Sequence, residues 1–209
     1  MQKQVIFRDR QELQGADFEN LQAYVAQTFG DLIGDGISDG RHYAGFAVSQ
    51  KSATEVDATA GRLYDAGQVF ITEATQTLDL FSRLPVAQKR IVALVAWGAG
   101  VDTDVEPRDF LVDLTNGTTE PQAVAMTRLQ QATLDLVSGA ESADPQAPDT
   151  GDNVAIAYIT LGTTGVESIE QLTGNRLPQA RDIDQRLGNG RREKSGSLDQ
   201  EIAQSQKAL

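Results

Sequence analysis

The chain has 209 residues, a mass of 22.5 kDa, a formal net charge of −12 and a pI near 4.4. It has no cysteine and one histidine, which excludes disulfides, thiol nucleophiles, thiolate metal sites and His-rich metal clusters. So acidic a surface repels nucleic acid and anionic membranes, so neither is an expected partner.

Hydrophobic residues make up 40% of the chain and aromatics only 6%, so any core must be built from Val, Ile, Leu and Ala. No window reaches the ~18 apolar residues of a membrane span. Residues 1–8 lack the apolar region of a signal peptide, and the expectation is a chain made in a cytoplasm.

Residues 3–8 alternate weakly and are rich in β-formers, which predicts a short strand. Asp17 then stands as an N-cap ahead of Phe18, Leu21, Val25, Phe29 and Leu32, spaced three or four apart. That spacing predicts an amphipathic helix of about four turns, ended by Gly30, Gly34 and Gly36. From residue 41 the pattern shortens to β segments at 42–50, 61–65, 68–72 and 75–80. Asp65-Ala66-Gly67 reads as a hairpin turn.

A second β set is predicted at 89–98, 108–114, 123–129, 133–138 and 153–161, with Asn116-Gly117 as a turn. A long acidic loop is expected at 138–153. Val124, Met126, Leu129, Leu134 and Val137 would also suit a helix over 122–137, although strands fit better. Residues 163–173 read as a short helix or turn. Many short strands with regular turns predict a mainly β, α+β chain: an N-terminal helix, then an antiparallel β-sandwich or small barrel, then a helical or coiled-coil tail. The expected domains are residues 1–40 as a docking region, 41–175 as the β-rich body and 176–209 as a polar tail for oligomerisation or docking.

In that tail Ile183, Leu187, Leu198, Ile202 and Leu209 are nearly the only large apolar residues. Leu198, Ile202 and Leu209 fall on core positions of a heptad, with Ser205 a polar gap. So sparse a helix does not stand alone in water. Between Arg176 and Lys194 six basic residues oppose three acidic ones, a local +3 that reads as a solvated face or as a strip for an acidic neighbour. The candidate interface residues are Phe18, Leu21 and Val25 at the N-terminal end with Ile183, Leu187, Leu198, Ile202 and Leu209 in the tail.

The inventory for chemistry is thin. His42 has no sequence neighbour to orient it or to be deprotonated, and reads as structural or surface. Asp102, Asp104 and Glu106 would share one face of a strand and could bind calcium or act as an acid–base pair. The same alternation suits a solvated face. Asp31, Asp35 and Asp39 miss the calcium-loop spacing, and Asp144, Asp149 and Asp152 sit beside prolines in an exposed loop. Gly30, Gly34, Gly36 and Gly40 make no phosphate cradle. Trp97 reads as a buried anchor before a sugar-stacking platform. No catalytic residue, cofactor or metal is assigned.

The helix segment Leu13-Gln14-Gly15-Ala16-Asp17-Phe18-Glu19-Asn20-Leu21-Gln22 is followed by Gly61-Arg62-Leu63-Tyr64-Asp65-Ala66-Gly67 and then Glu106-Pro107-Arg108-Asp109-Phe110. In order and wording this resembles baseplate and tail-fibre attachment proteins of tailed bacteriophages, over about residues 7–169. The resemblance implies a non-enzymatic virion structural protein, a homo-oligomer and often a trimer, located in the tail and partnered by other tail or baseplate proteins. The chain ends without a receptor-binding tip, which implies an adaptor or baseplate piece. A carbohydrate-binding β-sandwich using Trp97, Tyr43, Tyr64 or loop aspartates, calcium-assisted or not, is the alternative. A glycan hydrolase using paired carboxylates among Asp102, Asp104, Glu106 and Asp109 is a third.

Overall fold

Two tight turns organise the sheet. At Asp65-Ala66-Gly67 both Ala66 (φ 48°) and Gly67 (φ 77°) lie in the left-handed region, the geometry that lets two right-twisted strands turn back in two residues. The second, at Asn116-Gly117, is closed by Asp113, whose carboxylate accepts the N–H groups of Thr115 (2.8 Å) and Asn116 (3.3 Å). A computed structural model describes residues 3–9, 11–37 and 40–178. The chain divides into two units, Met1–Arg176 and Leu177–Leu209, and nearly all of the second lies outside the described residues. With it go Ile183, Leu187, Leu198, Ile202, Leu209 and the expected tail.

The first unit opens with helix α1 (Gly15–Gly36). Ten strands follow: β1 (His42–Gly45), β2 (Val48–Gln50), β3 (Glu55–Ala58), β4 (Gly61–Asp65), β5 (Gln68–Thr72), β6 (Gln76–Asp79), β7 (Arg90–Asp113), β8 (Thr118–Ser138), β9 (Val154–Gly162) and β10 (Gly165–Gln171), with a 3-10 turn at Phe81–Arg83. One sheet has seven strands in the order β1-β4-β5-β8-β7-β9-β10, and the other three, β2-β3-β6. All pairs are antiparallel except β5 with β8, which run parallel where Ile71 meets Gln131.

The core lies between the sheets. Val92, Leu94 and Ala96 of β7, Leu134 and Leu136 of β8, and Ile156, Ile159 and Leu161 of β9 cluster with Val56 and Ala58 of β3. Tyr43, Phe46, Leu63 and Phe70 complete the cluster. Each of the larger side chains contributes roughly 1.5–3 kcal/mol on burial. Residues 92–96 of β7, paired with β8 on one edge and β9 on the other, are wholly buried on both faces, and the stretch is continuously apolar rather than alternating. Residues after β10 tie the ends of the large sheet. The Leu172 N–H donates to the Ile156 carbonyl (2.8 Å), and the Tyr43 N–H to that of Asn175 (2.9 Å).

This corrects the expected fold. The body is neither an antiparallel sandwich of short strands nor a small barrel, and the described residues are mainly β with one α-helix, not α+β. Its large sheet is mixed, and two of its strands run 24 and 21 residues. The segments predicted at 89–98 and 108–114 are one strand, β7, and those at 123–129 and 133–138 are one strand, β8. Residues 99–107, between the two predicted strands, are the middle of β7. Residues 3–8 form no strand, and 163–173, expected as helix or turn, holds β10. Asp17 is not the N-cap of α1 either. Gln14 is, and its N–H donates to Asp17 Oδ2 at 3.0 Å, so Asp17 closes the first turn from inside it.

Candidate interaction surfaces

Only the base of the β7–β8 hairpin belongs to the body. β9 pairs with β7 no further than Ala96, and β5 meets β8 only at Gln131, whereas the β7–β8 ladder runs on to Asp113 and Thr118. Beyond Ala99 and Gln131 the hairpin is therefore a two-stranded arm. At ~3.4 Å per residue it extends roughly 45 Å. Two strands alone are marginally stable in water, yet this arm carries large exposed apolar side chains. Val101, Val105, Phe110, Leu111, Val112, Met126 and Leu129 are all exposed, and Leu114 at the tip is 88% exposed. Val101 faces Leu129 across the ladder and Val105 faces Ala125.

The arm's edges are blunted. Pro107 on β7 and Pro121 on β8 lack the N–H a further strand would need, and Asp104 (φ 53°) departs from strand geometry. A partner is thus better met by the arm's faces than by its edges.

Asp104 also belongs to the acidic triplet, whose members have separate partners. Asp104 accepts hydrogen bonds from the hydroxyls of Thr127 and Thr103, the latter at 3.3 Å. Asp102 lies 3.4 Å from Arg128 Nε, and Glu106 2.8 Å from Arg108. The three carboxylates are used in three separate local interactions. Among the described residues no group of three or more His, Asp or Glu side chains stands close enough to hold a metal ion.

The second surface is α1. None of its 22 residues is buried, and Phe18 (52% exposed), Leu21, Val25, Phe29 and Leu32 (67%) lie open to solvent. The helix touches the body near its C-terminal end. A groove of about 760 Å³ runs there between Ala26, Phe29 and Ile33 of α1 and Ala66 and Gly67 of the β4–β5 turn with Val69 of β5. Phe18, Leu21 and Val25, the N-terminal interface residues expected from sequence, thus share one exposed face. Trp97, expected as a buried anchor, is 41% exposed at the foot of the arm. His42 sits in β1 opposite Tyr64, and its Nδ1 is buried with no hydrogen-bond partner among the described residues.

One carboxylate, Glu141, joins two distant segments of the chain. Glu141 accepts the backbone N–H groups of Val86 (3.1 Å), Ala87 (2.7 Å) and Gln88 (2.8 Å), with Arg90 at 3.7 Å. The hydrogen bonds from Ala87, Gln88 and Val86, and then the Arg90 charge, hold its carboxyl below the usual range. It pins the loop after β8 to the segment entering β7, beside the Lys89–Ser142 bridge. The sequence offered no signal for this clasp, because the donors lie more than fifty residues upstream.

No protein-family model matches the chain, and no curated protein or solved structure matches it.

Proposed function

We propose that the chain is a structural assembly component of a phage tail, a baseplate piece or tail-fibre adaptor, that works as a homo-oligomer through protein–protein contacts. The proposed location is the virion tail after synthesis in the host cytoplasm, with a homotrimer as the proposed copy number. The observation that carries the reading is the long β7–β8 arm. A two-stranded ribbon with apolar side chains on its surface gains stability by docking, and its proline-blunted edges suit docking by a face. The open apolar face of α1 supports it as a second surface of the same kind. The resemblance over about residues 7–169 supplies the tail context.

The test is the solution mass of the full chain, by light scattering after size exclusion, beside a chain ending at Pro178. A multiple of 22.5 kDa for the full chain supports homo-oligomeric assembly, and a fall on truncation assigns a share of it to residues 179–209. A full chain that stays monomeric at all concentrations sinks the homo-oligomer.

A further inference from the structure

We infer that Asn116, at the tip of the β7–β8 arm, is a site of spontaneous deamidation, and that Asp113 sets its rate. The inference goes beyond the assembly reading and does not depend on what the arm docks against.

Asparagine is a thermally labile residue, most of all where glycine follows it, because the next backbone nitrogen is then unshielded. Asn116-Gly117 has that order, and both residues are exposed at the far end of the arm. A Cβ at Gly117 would meet nothing within 4 Å, and among the described residues its N–H has no hydrogen-bond partner. The attacking nitrogen is therefore unobstructed. In the reaction it bonds to Asn116 Cγ, and the Cγ–Nδ2 bond breaks. Nδ2 leaves as ammonia, taking up the proton that the Gly117 nitrogen gives up. Water then opens the five-membered imide at either carbonyl. One opening yields aspartate, the other isoaspartate, in which the main chain runs through the side-chain carbon.

Asp113 opposes the first step. Its Oδ2 accepts from Asn116 Nδ2 at 2.7 Å, while its Oδ1 accepts the N–H groups of Thr115 (2.8 Å) and Asn116 (3.3 Å). This Asx turn fixes the rotation of the Asn116 side chain, so attack waits on its opening. Openings come readily at this place, since a two-stranded ribbon is marginal in water and the tip is the part farthest from the body.

Conversion runs one way. Where Nδ2–H donated to Asp113, a carboxylate then faces a carboxylate, and like charges so placed repel. Isoaspartate also lengthens the main chain within the turn at 114–117. The product does not re-form the clasp, and the end of the arm passes irreversibly to a looser, more acidic form.

The chain supplies its own reference, because it has a second Asn-Gly, Asn189-Gly190, which lies outside the described residues. The parent and Asp113→Ala, both full-length, are kept warm at mildly alkaline pH for days, and both asparagines are followed by peptide mass spectrometry. Asn116 should convert in the parent to a mixture of aspartate and isoaspartate. In Asp113→Ala its rate should rise roughly fivefold, the equilibrium factor of one hydrogen bond, with the rate at Asn189 unchanged. An Asn116 that stays intact in both chains, or that converts no faster in Asp113→Ala, overturns the inference. So does an equal acceleration at Asn189. Asn116→Asp, which reproduces one product, gives the second readout. The Thr115 N–H should exchange several-fold faster in it than in the parent, and equal exchange overturns the one-way release.

Discussion

The carbonyl oxygen of Gly30 lies 2.6 Å from where a Cβ on Gly67 would stand. Helix α1 and the β4–β5 turn therefore meet backbone to backbone, a contact only glycine allows at position 67, where φ is also 77°. Gly67→Val should cost about 1–2 kcal/mol from the left-handed backbone alone and push α1 off the body. Chymotrypsin cleavage after Tyr24 and Phe29 should then be several-fold faster than in the parent chain. An unchanged cleavage rate would mean that the helix is held elsewhere.

Tyr43 ties the two ends of the large sheet. Its hydroxyl donates to the Leu172 carbonyl and accepts from Gln171 Nε2 at 3.0 Å, in a wholly buried position. Tyr43→Phe takes a donor from the Leu172 carbonyl in the buried interior, at a cost of about 1–3 kcal/mol, while Gln171 Nε2 keeps the carbonyls of Phe46 and Ile156. For a chain of this size the midpoint should fall by about 3–10 °C. A calorimetric midpoint within a degree of the parent would contradict the role given to this hydroxyl.

Glu141 sets an acid limit on stability. Its folded carboxyl is depressed, so its contribution is full above the ordinary carboxylate value of 4.5 and is lost as pH falls through the lower folded value. Glu141→Gln should lower the midpoint by a few degrees at pH 7. It should also reduce the fall in midpoint between pH 5 and pH 3, because the variant has no proton to gain. Parallel pH profiles for the two chains would place the acid sensitivity at other carboxylates, Asp57 and Asp113 being the other depressed groups.

The arm can be altered without touching the fold. Val105 is 65% exposed, so Val105→Glu should shift unfolding by no more than ~0.5 kcal/mol. On the proposed function the same change should reduce the oligomer fraction measured by light scattering. A loss of thermal stability with unchanged mass would show that the arm packs back on the body.

Local signals in the sequence located α1, the β4–β5 turn and the Asn116-Gly117 turn, because period, glycine and Asx chemistry are written in adjacent residues. The arm was not legible. The two predicted strands stopped on either side of residues 99–107, where acidic residues alternate with Val and Thr. Here both faces of the strand are in solvent, so nothing imposes the apolar alternation of a half-buried sheet. Trp97 misled for a related reason, since it closes an apolar run but stands at the point where β9 no longer covers β7. The mixed order of the large sheet, set by the β5–β8 pairing, and the Glu141 clasp depend on contacts distant in sequence, which local patterns do not encode. Helical spacing alone placed Phe18, Leu21 and Val25 on one face of α1.

Amide hydrogen exchange of the full chain, followed at low and high protein concentration, tests most directly whether α1 and the arm are assembly surfaces. Residues 15–36, 99–113 and 118–131 should exchange quickly when dilute and become protected as concentration rises, while the body strands stay unchanged. Exchange in these three segments that does not depend on concentration, in a chain whose mass stays at 22.5 kDa, would contradict an assembly role for both surfaces.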